Sequence, residues 1–400
     1  MAGSSGYTQS LLFRRPSGGG LGLSALRGGA SASSASASTT HTFQWDLALK
    51  AQLEGAAVRH FPKRDKPGLA RFAKENYRLV EQGHYLDVAG EKHSLKLPRD
   101  AINRILNVPA SSGQPLAPRH AQTSVCVARI DTATALRTMS MLGAKRVAAL
   151  NFANAHHPGG GYLNGARAQE EDLCRLMPTL YSSLKRLKYP MKESTAFFTQ
   201  TWLCRTAGSY AFEQPPLLTN IVSSAMPDLG SGGWRGARLE AGSPAWEATV
   251  RARMRAVLHA AREEGCDCVV LGAFGCGAFG NPPELVASLF AAALASGEFR
   301  GAFAQVVFAI LEFKDTDGGN VHAFVRACGP EKGGLCEGAA PDHAPDAPST
   351  PPAEPPAPMA MPHGPADGGA GGAATAGAGR GESAEEPMDV SEGGGRAELL

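Results

Sequence analysis

Apolar residues recur at Leu69, Phe72, Ala73, Leu79 and Val80, near the 3.6-residue spacing of one helix face, which predicts a helix over about Leu69–Gln82. Asn76 falls on the same stripe. Farther along, β-branched or apolar runs at Ser124–Ile130, Arg146–Phe152, Leu218–Ser224, Cys268–Gly272 and Gln305–Leu311 read as strands. Helical patterns at Thr132–Leu142, Gln169–Leu187, Ala245–Glu264, Pro283–Ala295 and Val321–Cys328 alternate with them. Near-continuous apolar strands separated by helices imply a parallel or mixed sheet covered on both faces, a three-layer α/β/α domain. Ligands in such sheets sit beyond the carboxyl ends of strands, in the strand-to-helix loops. Two glycine-rich loops occupy such places.

Composition sharpens the boundaries of this domain. The 400 residues carry a formal charge of +2, unevenly spread. Residues 1–45 hold three Arg and no acid, residues 46–336 hold 34 Lys+Arg against 26 Asp+Glu, and residues 337–400 hold two Arg against eleven acids. A basic body, net +8, therefore stands between a +3 head and a −9 tail. Residues 1–41 are small, hydroxylated and Arg-bearing, which fits an organellar transit peptide and a disordered tail equally. Residues 337–400 are rich in Pro, Ala, Gly and acids and are expected to be disordered, because they cannot bury enough apolar surface to offset ordering entropy. The expected domain is 42–336.

Apolar runs such as Leu285–Ala295 stop short of the roughly 18 residues of a membrane span. The eight Cys are scattered, with no zinc-type spacing and no compact disulfide framework, so reduced thiols and an intracellular setting are expected, in cytoplasm or nucleus or, with a transit peptide, an organelle.

After the strand around Val147, the chain reads Asn154-Ala-His-His-Pro, then Gly159-Gly160-Gly161, seven residues, and Gln169-Glu170-Glu171. Glycines let backbone approach a ligand closely and present N–H groups to phosphate. Acids opening a helix also complement its dipole, so the spacing alone leaves a functional and a structural reading open. The His156-His157 pair has no third ligand at metal-binding spacing and reads as a loop element.

The words PGGGYLNGARAQEEDLCR resemble the GGG-x(6–8)-QEE signature of poly(ADP-ribose) glycohydrolases, and NFANAHHPGGG resembles their microbial-type branch. KENYRLVEQGHYLDVAGEKHSL, IVSSAMPDL and LGAFGCGAFGNPPELVA are similar to further blocks of that branch, so the resemblance spans roughly residues 65–327. It implies a macrodomain-like fold with a mixed central sheet and an N-terminal helical extension. It also implies that Glu171 is the catalytic glutamate, that Glu170 binds the ribose hydroxyls beside the scissile bond, and that Gln169 helps hold the loop. The family more often has Ser at the place of Asn154, and Arg or Lys at that of the histidines.

Cleaving a ribose–ribose O-glycosidic bond needs an acid for the leaving hydroxyl and a base for the attacking water. Consecutive helical residues project about 100° apart, which does not suit two carboxylates flanking one bond. One carboxylate acting first as acid and then as base, with its neighbour binding, suits it better.

The second loop, Gly275-Cys276-Gly277-Ala278-Phe279-Gly280-Asn281, runs from a strand into a helix opened by Pro282-Pro283. A glycine loop at a helix start is an anion site, yet the trailing Lys-Ser/Thr of a Walker loop is missing. The family resemblance makes it the diphosphate-binding loop, with Phe279 or Phe274 against the distal ribose. Cys276 has no partner base and reads as a small filler of that loop. Asp131 either reaches adenine's amino group or caps the following helix. Asn154, and less so Asn151, resemble the ribose-facing asparagine of macrodomains.

The leading expectation is a glycosidase releasing ADP-ribose from poly(ADP-ribose), with the polymer and ADP-ribosylated proteins as substrate. It is expected to work as a monomer, without cofactor or metal, and without binding nucleic acid or membrane. A non-catalytic ADP-ribose reader is the alternative, and the pair of carboxylates argues against it. A nucleic-acid-binding protein would need basic patches interleaved with aromatics, which the chain lacks.

Overall fold

The computed structural model describes residues 42–109, 116–212, 214–230, 239–295, 298–312 and 319–329, and the expected strands lie within one eight-stranded sheet. In chain order the elements are β1 (Thr42–Trp45), α1 (Leu47–Ala56), α2 (Lys66–Gln82), β2 (His84–Leu86), β3 (Lys92–Ser94), β4 (Asn103–Asn107), β5 (Gln122–Ala128), α3 (Thr132–Met141) and β6 (Val147–Phe152). They continue with α4 (Gln169–Leu176), α5 (Pro178–Leu184), β7 (Thr195–Leu203), β8 (Leu217–Ser224), α6 (Pro244–Glu263), β9 (Cys268–Leu271), α7 (Pro283–Ala295), β10 (Gln305–Ala309) and α8 (Asn320–Cys328).

Strand order is β1-β5-β10-β9-β6-β8-β7-β4. All pairings from β1 to β8 are parallel, and β7 and β4 add an antiparallel edge. The sheet is mixed, as expected, and its parallel centre sets the carboxyl ends of β5, β10, β9 and β6 along one rim. β2 and β3 form a separate antiparallel ribbon.

Alternation along β5 divides the core. Val125 and Val127 join Trp246, Val257, Phe290 and Phe324 from α6, α7 and α8 on one face. Cys126 and Ala128 join Leu53, Leu136, Leu173 and Leu180 from α1, α3, α4 and α5 on the other. Period-two side-chain direction in a strand buried on both faces accounts for the split. The fold is thus three layers, α/β/α.

Local chemistry sets the helix ends. α2 starts at Lys66, three residues before the apolar stripe, because the Asp65 side chain accepts from Gly68 N at 2.8 Å and Pro67 occupies the first turn. It stops at Gly83, which takes a left-handed conformation with φ 72°.

The single helix expected over Gln169–Leu187 is two. Pro178 has no N–H to donate and pushes Met177 to φ −120°, ψ 85°, so α4 ends at Leu176 and α5 begins at Pro178. Among the described residues no helix is long and apolar enough to cross a membrane. The expectations for residues 1–41 and 337–400 lie outside the described residues.

Candidate active site

The parallel strands deliver four loops to one rim. β6 leads through Asn154 and Gly159–Gly161 to α4, whose first turn holds Glu170, Glu171 and Asp172. β9 leads through Gly275–Asn281 to α7, β5 leads to Asp131, and β10 leads to Ile310. A cavity of about 730 Å³ opens on this rim, bordered by Asp131, Phe152, Gln169, Gly277, Phe279 and Ile310. Gln169 and Asp172 reach it from the start of α4, whereas Gly159–Gly161, Glu170 and Glu171 are not among its lining. That volume suits a ligand larger than a simple metabolite.

The first loop wraps the two glutamates. Glu170 is buried, and its Oε1 accepts from Asn151 Nδ2 at 3.2 Å and from Gly159 N at 3.2 Å. Its Oε2 accepts from Asn154 N at 2.8 Å. Burial pushes this carboxyl up to about 8, against the pull of those three donors. Both oxygens are thereby held.

Glu171, 6% exposed, differs: Gly161 N donates to its Oε1 at 2.8 Å, while its buried Oε2 has no partner. A buried lone oxygen of this kind is an unsettled demand for a hydrogen-bonding group.

Gly160 lets this approach happen. It sits at φ 53°, and a Cβ there would stand 2.5 Å from Glu171 Oε1 and 3.1 Å from Glu170 Oε2. The three glycine N–H groups are all engaged inside the loop, with Gly160 N donating to His157 O at 3.0 Å. Gly159 N and Gly161 N hold the two carboxylates, and Gly160 N closes the loop on itself.

Gln169 anchors the helix start. Its Oε1 accepts from Phe152 N at 2.8 Å, and its Nε2 donates to Leu150 O at 2.8 Å and Thr132 Oγ1 at 3.1 Å. With both amide hydrogens engaged, it ties the start of α4 to the end of β6 and to Thr132. The Asn154 side-chain oxygen accepts from His156 N and His157 N at 2.9 and 3.0 Å, closing a local turn. Asn151 is wholly buried between Glu170 and Ser223 Oγ. The Asn154 side-chain oxygen is thus taken up by its own loop, whereas the buried Oδ1 of Asn151 has no partner.

Asp131 caps the following helix. Its Oδ1 accepts from Thr134 N at 2.9 Å and caps α3, while its buried Oδ2 has no partner and the residue borders the cavity. Burial pushes its carboxyl up.

The second loop is the open one. Asn281 N donates to Gly275 O and Gly280 N to Gly277 O, each at 3.0 Å, closing the turn from below. The consecutive N–H groups of Gly277, Ala278 and Phe279 make no hydrogen bond among the described residues, and these three residues border the cavity. A run of unpaired backbone N–H groups is an anion nest. Phe279 and Phe274 both border the cavity; Phe279 is half-buried, and Phe274 is buried with its ring 5.5 Å from Phe152. Cys276 does not border the cavity, and burial pushes its thiol up to about 12, so it supplies no thiolate.

Sequence reading passed over the groups beneath these loops. Asn281 is buried: its Oδ1 accepts from Trp246 Nε1 at 2.8 Å, and its Nδ2 donates to Pro227 O and Gly275 O at 2.8 and 3.0 Å. Asn76 donates to Tyr162 Oη and to the Cys174 and Arg175 carbonyls at the end of α4, at 3.0 to 3.1 Å. A polar residue on the apolar stripe of α2 was its visible signal. Asp172 accepts from Tyr210 Oη, and burial pushes its carboxyl up to about 6. His156 and His157 are exposed. Among the described residues the one cluster of metal-like spacing is Asp87, Glu91 and His93 on the β2–β3 ribbon, where Asp87 is already satisfied by Ala89 N, Glu91 N and His93.

The family profile described as microbial-type PARG, catalytic domain, matches residues 73–202. Among solved structures, poly(ADP-ribose) glycohydrolase from Thermomonospora curvata bound to the inhibitor ADP-HPD is 28% identical. That match covers 64% of this chain and 98% of that one, with a TM-score of 0.53. The enzyme of Deinococcus radiodurans in complex with ADP-ribose is 32% identical over 52% of this chain and 85% of that one, with a TM-score of 0.45. No curated protein matches.

Proposed function

The chain belongs to the microbial-type poly(ADP-ribose) glycohydrolases, and on that premise we propose that Glu171 carries the hydrolysis, first as acid and then as base. The enzyme is a glycosidase acting on poly(ADP-ribose). The observation that carries the assignment is the contrast between neighbours: both oxygens of Glu170 are held by N–H donors, while Glu171 keeps one buried oxygen without a partner. A proton moves most readily at the oxygen that no protein group already occupies.

The reaction then balances on one carboxyl. Protonated Glu171 gives its proton to the leaving ribose oxygen as the anomeric C–O bond breaks and positive charge develops on the sugar. The resulting Glu171 carboxylate takes a proton from the water that attacks the anomeric carbon, which restores the acid. Glu170 lies beside it as a fixed acceptor for ribose hydroxyls. The Gly277–Phe279 nest takes the diphosphate, Phe279 packs on the distal ribose, and Asp131 Oδ2 accepts from adenine's amino group. All of these groups come from one chain, so a monomer suffices.

The test is turnover of purified poly(ADP-ribose) by the full chain and by Glu171→Gln. Release of ADP-ribose by the wild type, lost in the variant with ADP-ribose binding kept, is expected. Binding without release by the wild type would make the protein a reader instead.

A further inference from the structure

The connection between α1 and α2 is basic, with Arg59, Lys63 and Arg64 against Asp65 alone, and Lys66 opens α2. It borders the active-site cavity through Phe61, Lys63 and Arg64, and Arg167, just ahead of α4, borders the same cavity. Backbone contacts fix these cations in place. Arg64 donates to Gly208 O at 2.8 Å and to Ser209 O at 3.2 Å, its guanidinium lies 5.0 Å from the Tyr210 ring centre, and its own carbonyl accepts from Arg167. Gly165 packs directly on the Lys66 carbonyl, with no room for a Cβ.

Lys63, Arg64 and Arg167 meet no carboxylate among the described residues, and of these Lys63 and Arg167 are the exposed two. Lys63 is exposed and makes no ion pair or hydrogen bond among the described residues. Arg167 is exposed, and its guanidinium meets only a carbonyl. Of the carboxylates at the cavity, Asp172 is engaged by Tyr210 and Arg175, and Asp131 caps α3. One bound ADP-ribose carries a single diphosphate, and the Gly277–Phe279 nest already offers it three N–H groups. Lys63 and Arg167 are therefore surplus to one unit of substrate, and a second diphosphate would satisfy them. Charge left unpaired at the rim of a cavity that takes a polyanion is a means of holding more of that polyanion.

We propose that Lys63 and Arg167 form a secondary phosphate site for an ADP-ribose unit adjoining the one in the cavity, an inference that rests on the poly(ADP-ribose) reading above. The site distinguishes polymer from monomer, because free ADP-ribose has no second diphosphate to place there.

The experiment uses the full chain in the Glu171→Gln background, so that polymer is bound and not consumed. Binding of purified poly(ADP-ribose) and of ADP-ribose is measured across a salt series, with and without Lys63→Glu, and then with Arg167→Gln added. Lys63→Glu is expected to weaken polymer binding about tenfold at low salt and to lower the salt slope by about 1. ADP-ribose affinity should stay within about twofold, which also reports that the fold is intact. Equal losses for polymer and monomer would overturn the proposal by placing the cations in the monomer site, and an unchanged polymer affinity would overturn it outright. Turnover of the same polymer by the wild type separates the premise from the inference: no turnover sinks the premise, whereas normal turnover with an indifferent Lys63→Glu sinks the inference alone.

Discussion

Gly160 is where a single atom decides the site. A methyl group there would need space 2.5 Å from Glu171 Oε1, on backbone at φ 53° that L side chains rarely adopt. Gly160→Ala is expected to displace the glutamate and cut polymer turnover about 100-fold, the loss that a misplacement near 1 Å brings. Its thermal midpoint should fall only modestly, since the strain is confined to a loop. Steady-state turnover beside a melting curve checks both. Glu170 makes a second prediction, through pH. The folded carboxyl, raised to about 8, binds its proton more tightly than the unfolded one does at 4.5. Stability tied to this group is therefore fully present at low pH and is lost as pH climbs between those values. Glu170→Gln cannot titrate. Whatever constant loss its amide suffers against Asn154 N, the variant should gain on the wild type from pH 5 to pH 9 in parallel melting curves; a flat difference would refute this. The sequence displayed these glutamates through their glycine spacing. It did not display which one keeps a free oxygen, because that follows from loop N–H groups that every residue type carries.

Elements hold the two loops at their working separation, and they do so through buried amides. Asn281 fastens the α7 loop to Trp246 of α6 and to the Pro227 carbonyl after β8. Asn281→Ala strands the Trp246 indole N–H and the Pro227 carbonyl, each worth about 1–3 kcal/mol when buried without a partner, while Gly275 O keeps the backbone N–H of residue 281. The expected result is a clear loss of stability and a KM raised about tenfold or more by a loosened nest. kcat should change little, because Glu171 rides on a different loop. Denaturant unfolding with a KM-against-kcat comparison tests it, and a fall in kcat alone would contradict it. At this scale the sequence was readable where apolar period and burial coincide, as in β5, β6, β9 and β10. It misled at Met177, where the helical pattern continues past a proline that ends the helix. It was silent at β7, whose buried positions include Thr199 and Thr201, hydroxyls that bond to Asn103 and Thr179 and so hide the strand's apolar character. β4, short and half-exposed at the sheet edge, gave too little pattern to read.

Across the whole molecule, charge is the property that no single element holds. Residues 46–336 carry +8 and residues 337–400 carry −9, and the two are joined covalently just beyond α8, which ends at Cys328. A segment on the same chain competes at a high effective concentration for any site it can reach, whereas poly(ADP-ribose) has to come from solution. Competition of the two polyanions for the body's unpaired cations, Lys63 and Arg167 among them, is the hypothesis to be tested. Removing residues 337–400 is expected to tighten polymer binding several-fold at about 0.05 M salt. The gain should fade at high salt, because the screening length falls from about 10 Å at 0.1 M to about 3 Å at 1 M. ADP-ribose, whose single diphosphate is proposed to sit on the Gly277–Phe279 N–H groups, should bind both forms alike. Binding titrations of full-length and shortened Glu171→Gln protein at two salt concentrations give the answer, and equal polymer affinities at low salt would discard the competition. Combining the truncation with Lys63→Glu locates it: if the acidic segment acts at this rim, truncation helps the charge-reversed protein less than it helps the parent.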